Sequence, residues 1–274
     1  MSERGLDSLA GMNLPQELID KIIDRVWDAD DSPSHATTKM ASLISRAWVN
    51  RSQRYIFYSV KFDPSGDRFG RWCNTVIPGP NGVSRHVRSL TIQATRPDGW
   101  WINEGAIERA LPYFDSFRNV QALQVLDWNV APFPPEMLAR CFTPFAKGIR
   151  LLRWDPYQDT THEMWTRIVE LFPLVDQILF YPNFFLWAPL PFATPTRTVR
   201  KLVFFGSYAA NYPIVCNLRF QEIHIGCNLG MPLETLITII NRHAGRLEIL
   251  SIFGISRGQC FFSLKGVLVL DSLL

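Results

Sequence analysis

Gly254-Ile255-Ser256-Arg257-Gly258 spells G-x-S-x-G, the pattern of a nucleophile elbow. There a strand leads into the serine, a helix leads out, and the acid and histidine that activate the hydroxyl come later in the chain. A strand-like run, LEILSI, does precede Ser256, but only 16 residues follow Gly258, with Asp271 and no histidine among them. The segment therefore reads as a turn between two strands. The five histidines, His35, His86, His162, His224 and His243, lie at no metal-ligand spacing from one another or from a cysteine. His162-Glu163 lacks the second histidine of a zinc-protease helix, so each histidine reads as a surface or capping residue. Pro78-Gly79-Pro80-Asn81-Gly82 is a rigid turn and no phosphate cradle, since no Gly-Lys-Ser/Thr follows. Asp30-Asp31 sits in a polar loop and reads as a solvated pair. The residues predict no catalytic constellation, no cofactor and no metal, hence a protein that is not an enzyme.

The bulk properties narrow the remaining classes. Of 274 residues 47% are apolar and 19% charged, the balance of a folded globular chain. Net charge is +3, spread without any Lys/Arg run dense enough for a nucleic-acid arm, so no nucleic-acid partner is expected. The cysteines, Cys73, Cys141, Cys216, Cys227 and Cys260, are odd in number and scattered, which suits reduced thiols in the cytoplasm or nucleus. No stretch approaches a membrane span and the first residues carry no apolar signal core, so no membrane association is expected.

Two kinds of element follow one another along the chain. Residues 1–12 read as a flexible lead-in. LPQELIDKIIDRVW (14–27) is an amphipathic helix opened by Pro15, whose missing N–H had no helical partner to lose. Its apolar residues Leu14, Leu18, Ile19, Ile22, Ile23, Val26 and Trp27 make a stripe too wide for a helix lying alone on water. After the loop DADDSPSHA, the run TTKMASLISRAWVNRSQRY reads as a second helix, with Met40, Leu43, Ile44, Ala47 and Trp48 at helical intervals. Two helices in so short a module bury little by themselves.

From Phe57 onward a six-residue motif recurs: apolar, two variable, apolar, variable, apolar. It runs FYSVKF, VRSLTI, VQALQV, IRLLRW, VDQILF, VRKLVF, FQEIHI, LEILSI and LKGVLV, with starts 17 to 33 residues apart. Each motif predicts a short strand with one buried face. Helices are predicted between them at Glu104–Phe114, Glu136–Phe145, Thr160–Phe172 and Leu233–Ala244, with Thr160 and Glu163 at capping-box spacing. The step is that of a strand-plus-helix repeat.

LPQELIDKII, an acidic loop and ASLISRAWVNRSQRYIF together resemble the F-box, particularly its fungal form. Leu14, Pro15, Glu17, Leu18, Ile19 and Ile22 match the first half of that motif; Leu43, Ser45, Arg46 and Trp48 match the second. The array that follows resembles the irregular leucine-rich repeats that often accompany it, although the asparagine closing a standard repeat strand occurs once, at Asn228. The resemblance implies an α/β chain: an all-α F-box-like module at 13–56, then a leucine-rich-repeat-like strand/helix solenoid at 57–274. Because no polar cap closes the array after VLVLDSLL, the solenoid is expected to be incomplete at its C-terminus.

It further implies a substrate adaptor of a Skp–cullin–F-box ubiquitin ligase. The helices would dock on a Skp-family adaptor, and through it a cullin scaffold, by Leu14, Pro15, Leu18, Ile19, Ile22, Leu43 and Trp48. The array would hold an unknown target protein. Positions flanking the buried ones face out from the strands, which nominates Arg153, Leu179, Tyr181, Val203, Phe205 and His224 as the target-binding patch. The alternative is an interaction scaffold outside any ligase, in which the first helices cap the solenoid.

Overall fold

The structure, a computed structural model, describes residues 14–29, 36–63, 68–76, 82–93, 104–127, 135–155, 167–181, 197–206, 218–227, 237, 241, 243, 245–254 and 260–265. The lead-in at 1–12, the acidic pair Asp30-Asp31, Thr160 and Glu163, Ser256, Asn228 and the chain after Lys265 lie outside these residues. The chain divides into two compact units, Met1–Ser59 and Val60–Leu274.

The first unit is all helical: α1 (Gln16–Ala29), α2 (Ala36–Ile44) and α3 (Arg46–Ile56). The expected single second helix is broken in two at Ser45. Its φ of −160° and ψ of 165° are extended, so the chain leaves the helix for one residue and re-enters at Arg46. The break redirects the side chains. The buried positions of α2 and α3 are Thr38, Ala41 and Ser52, small residues that let the helix backbones approach closely, whereas Met40, Leu43 and Ile44 are exposed.

The α1–α3 seam is polar and tight. Arg51 donates two hydrogen bonds to the Asp24 carboxylate, at 2.7 and 2.6 Å, and the Tyr55 hydroxyl donates a third at 2.6 Å. Trp27 stacks on Tyr55 at 4.9 Å. The bidentate fork holds the Asp24 carboxyl below its ordinary range, while burial and the adjacent carboxylate raise the Tyr55 hydroxyl.

The second unit is mixed α/β. Its nine strands lie in one sheet in chain order: β1 (Ser59–Phe62), β2 (Ser89–Gln93), β3 (Ala122–Leu126), β4 (Leu151–Asp155), β5 (Gln177–Phe180), β6 (Arg197–Gly206), β7 (Leu218–Cys227), β8 (Ile249–Gly254) and β9 (Cys260–Lys265). From β2 to β8 every neighbouring pair is parallel. Parallel neighbours require a crossover between strands. Helix α4 (Arg68–Val76) lies between β1 and β2, and helices α5 (Glu104–Phe114) and α6 (Pro135–Phe142) lie in two of the parallel intervals, α6 running on into a 3₁₀ turn at Thr143–Phe145. Helix α4 was not foreseen, although Phe69, Trp72, Cys73 and Val76 stand at helical intervals.

The first eight motifs each supply a strand; in β1 to β5 and β8 the first two motif residues precede the strand, whereas β6 and β7 begin two residues before their motifs. The N–H groups of Gln121 and Ala122 both donate to the Arg88 carbonyl, at 2.7 and 2.9 Å. Arg150 and Leu151 do the same to Gln121, and Asp176 and Gln177 to Arg150. This repeated turn keeps successive strands in register. Strand alternation then sends Leu90, Ile92, Leu123, Val125, Leu152, Trp154, Ile178, Phe180, Leu202 and Phe204 into the core beside the helices. Phenylalanines tie one repeat to the next: Phe62 to Phe114 at 5.6 Å, Phe114 to Phe145 at 5.4 Å, Phe142 to Phe172 at 5.8 Å. Fully burying such a ring contributes about 2 kcal/mol each.

The ninth motif departs from expectation. The last described strand is Cys260–Lys265, which shares only Leu264 and Lys265 with LKGVLV, and it runs antiparallel to β8. An antiparallel neighbour needs only a short connection, and Ser256 falls in the segment that joins these two strands.

Candidate functional site

On α1 the wide apolar stripe splits in two. Ile19 and Ile23 point inward, at 5% and 0% exposure. Leu18 and Ile22, four apart on one helix ridge, and Leu14, just before the helix, stay on the surface, with Leu18 45% exposed. Helix α2, which packs against α1, exposes Met40 (69%), Leu43 (83%) and Ile44. Five large apolar side chains on two adjoining helices, and Leu14 just before the first, are left to water. Of the seven nominated docking residues, Leu14, Pro15, Leu18, Ile22 and Leu43 are on the surface and Trp48 is half-buried. Ile19 is a correction: it belongs to the interior of the helical unit and offers no surface to a partner. Met40 and Ile44 were not nominated: they share the apolar stripe of Leu43 and Trp48 but lie outside the residues that carry the F-box resemblance.

The second surface is the sheet face opposite the helices. The pairing sets Gln124, Arg153, Leu179, Val203, His224 and Ser251 side by side on β3 to β8. All six nominated target-binding residues share this face, and all are partly exposed. Parallel strands lie about 4.8 Å apart. Tyr181 and Phe205, on neighbouring strands, stack at that spacing, 4.8 Å with an interplanar angle of 13°. The Arg153 guanidinium lies 4.7 Å from the Tyr181 ring centre, completing a cation–π stack across β4, β5 and β6.

The charges of this face answer one another. Arg153 meets Asp155 at 3.6 Å. Glu222 lies 3.8 Å from both Lys201 and His224 and 3.6 Å from Arg200, which itself holds Asp176 at 3.0 Å. At 3.8 Å the His224 Nε2–Glu222 approach is too long for a hydrogen bond and is an ion pair only when the imidazole is protonated. Burial, then Lys201, pushes the His224 imidazole below its ordinary value against the pull of Glu222, so it is neutral at pH 7. Burial raises the Asp155 carboxyl, with Arg153 opposing. Lys201 and Glu222 escaped the sequence reading, although they stand two residues before Val203 and His224 and a strand period of two would have found them.

Two other groups are structural. His243, expected at the surface, is fully buried; its Nδ1 accepts a 3.2 Å hydrogen bond from the Phe220 N–H at the start of β7. Cys73 and Cys141 are buried and free, and burial pushes both thiols up to about 12. Among the described residues no cluster of His, Cys, Asp or Glu could hold a metal ion. None of the described helices is long and apolar enough to cross a membrane.

No protein-family model matches the chain, and no curated protein matches it.

Proposed function

We propose that this chain is the target-recognition subunit of a Skp–cullin–F-box ubiquitin ligase. Its helical unit is F-box-like and its strand/helix unit is a leucine-rich-repeat-like solenoid. In this reading Leu14, Pro15, Leu18, Ile22, Leu43 and Trp48, joined by Met40 and Ile44, dock on a Skp-family adaptor, and the outer face of β4 to β7 holds the target. The role is proximity: a tethered target meets the ubiquitin-transfer centre at a raised effective concentration.

The observation that carries the reading is the double ridge of large apolar side chains that α1 and α2 leave exposed while Ile19, Ile23 and Ala41 fill the inside. A folded helical unit with a filled interior gains nothing from a second greasy face unless another polypeptide covers it. The solenoid reading is supported by nine strands in chain order with parallel neighbours from β2 to β8, joined by the repeated entry turn.

Co-expression with a Skp-family adaptor tests it. The wild-type chain should co-purify with the adaptor. Leu14→Ala combined with Pro15→Ala should retain the fold and lose most of the adaptor. Equal recovery of adaptor by both proteins rejects the assignment.

A further inference from the structure

Charge bookkeeping on the outer face of β4 to β7 decides what kind of segment can lie there. We propose that this face takes an extended, uncharged, apolar stretch of a partner protein, and that an acidic or phosphorylated stretch is refused. The proposal rests on the reading of this face as the target-holding surface.

Leu179 and Val203 are register partners on adjacent strands, with the stacked rings of Tyr181 and Phe205 beside them. They form the apolar centre. Its two flanks carry charges of both signs set near one another. On one side the Arg153 guanidinium lies over Tyr181 and against Asp155. On the other, Glu222 is shared by Lys201 and His224. A phosphate or carboxylate is recognised by bases left open for it, best by an arginine fork free to make two parallel bonds. Here the two cations of the face each already have an acid within 4 Å, Asp155 at 3.6 Å from Arg153 and Glu222 at 3.8 Å from Lys201. An incoming anion would have to break one of these pairs or give up its water over Leu179 and Val203 without a partner, which is costly. An incoming cation meets the same obstacle at Asp155 and Glu222. An apolar, neutral segment loses nothing by desolvation, and the side-chain amides of Gln124 and Gln177, both on partly exposed positions, stand ready for its backbone groups. Arg153 and His224 lie three strand intervals apart, about 14 Å, so about four extended residues span the patch.

The test uses the full chain and a random-peptide phage library. Clones are selected on the wild-type protein and counter-screened on Val203→Asp and, separately, Leu179→Ser, each checked for an unchanged melting temperature. Both positions are partly exposed, so either variant keeps the test open if the other fails to fold. Clones lost on the variants should carry a run of apolar residues without formal charge. A synthetic peptide of their consensus should bind at least tenfold more weakly once a phosphoserine is placed inside the run. If the face-dependent clones are acidic, or the phosphoserine tightens binding, the neutrality proposal is overturned while the target-holding reading stands. If no clone depends on Val203 or Leu179, both fall.

Discussion

Gly148 is where one added methyl group should do the most damage for its size. It follows the 3₁₀ turn at Thr143–Phe145 and leads into β4, and its N–H donates to the Phe145 carbonyl at 2.8 Å. A Cβ built on Gly148 would lie 2.5 Å from the Val120 carbonyl oxygen, about 0.9 Å short of an ordinary contact at 3.4 Å. The obstacle is backbone, so no side chain can swing away. Val120 is held by its N–H to the Phe117 carbonyl, and its neighbour Gln121 accepts the two bonds that start β4. To make room, the turn before β3 and the turn before β4 must separate, stretching those bonds. Overpacking of this kind costs about 1–3 kcal/mol. For a chain of this size that is a fall of about 2–10 °C in melting temperature. Gly148→Ala should therefore melt early by circular dichroism, and it should weaken target-face binding, because β4 carries Arg153. Gly245, with φ at +77° and open space around its Cβ position, is the control: alanine there costs only the left-handed backbone, about 1–2 kcal/mol. An unchanged melting temperature for Gly148→Ala would refute the close approach of the two turns and with it the repeat register.

Asp24→Asn should cost the helical unit about 1–3 kcal/mol and flatten its acid limb. The folded Asp24 carboxyl is depressed below 3.8, so its contribution is fully present above that value and is lost as the pH falls through the lowered folded value; circular dichroism across the acid range reads this out. His243→Ala orphans the buried Phe220 N–H and should cost about 1–3 kcal/mol in chemical denaturation, with hydrogen exchange at Phe220 accelerated first. Cys73 and Cys141, with thiols near 12, should resist alkylation at neutral pH in the folded chain and react on unfolding, as followed by mass spectrometry.

Much of the sheet is legible in the six-residue motif, because burial on one face imposes a period of two that no turn chemistry can mimic. The Glu104–Phe114 helix is legible for the same reason, at its own period. What escapes is set by longer-range contacts. Nothing local in ASLISRAW announces the break at Ser45, whose side chain makes no capping bond; the buried positions to either side of it are the small residues Thr38, Ala41 and Ser52. Met40 and Ile44, both on α2 before the break, face water beside Leu43, so the exposed ridge is wider than the resemblance implies. On the sheet, the motif places Leu179 and Val203 on the open face, but register alone brings Arg153 over Tyr181 and Lys201 beside Glu222. Ile19 shows the limit of pattern: it lies one residue from Leu18 in the same apolar stripe, and only the packing of α2 and α3 on α1 decides that one is core and the other surface. His243 was misplaced because a buried histidine looks like any other until its backbone partner is known.

The central claim is that the exposed ridge of α1 and α2 exists to be covered by an adaptor. Isothermal titration of the full chain with a purified Skp-family adaptor, comparing wild type with Leu18→Ala and Leu43→Ala, tests it most directly. Truncating a buried interface anchor costs about 2 kcal/mol, so each variant should bind about thirtyfold more weakly. Leu43, 83% exposed in the free chain, should leave the melting temperature unchanged. Absence of binding by the wild type, or equal affinity for all three proteins, contradicts the account.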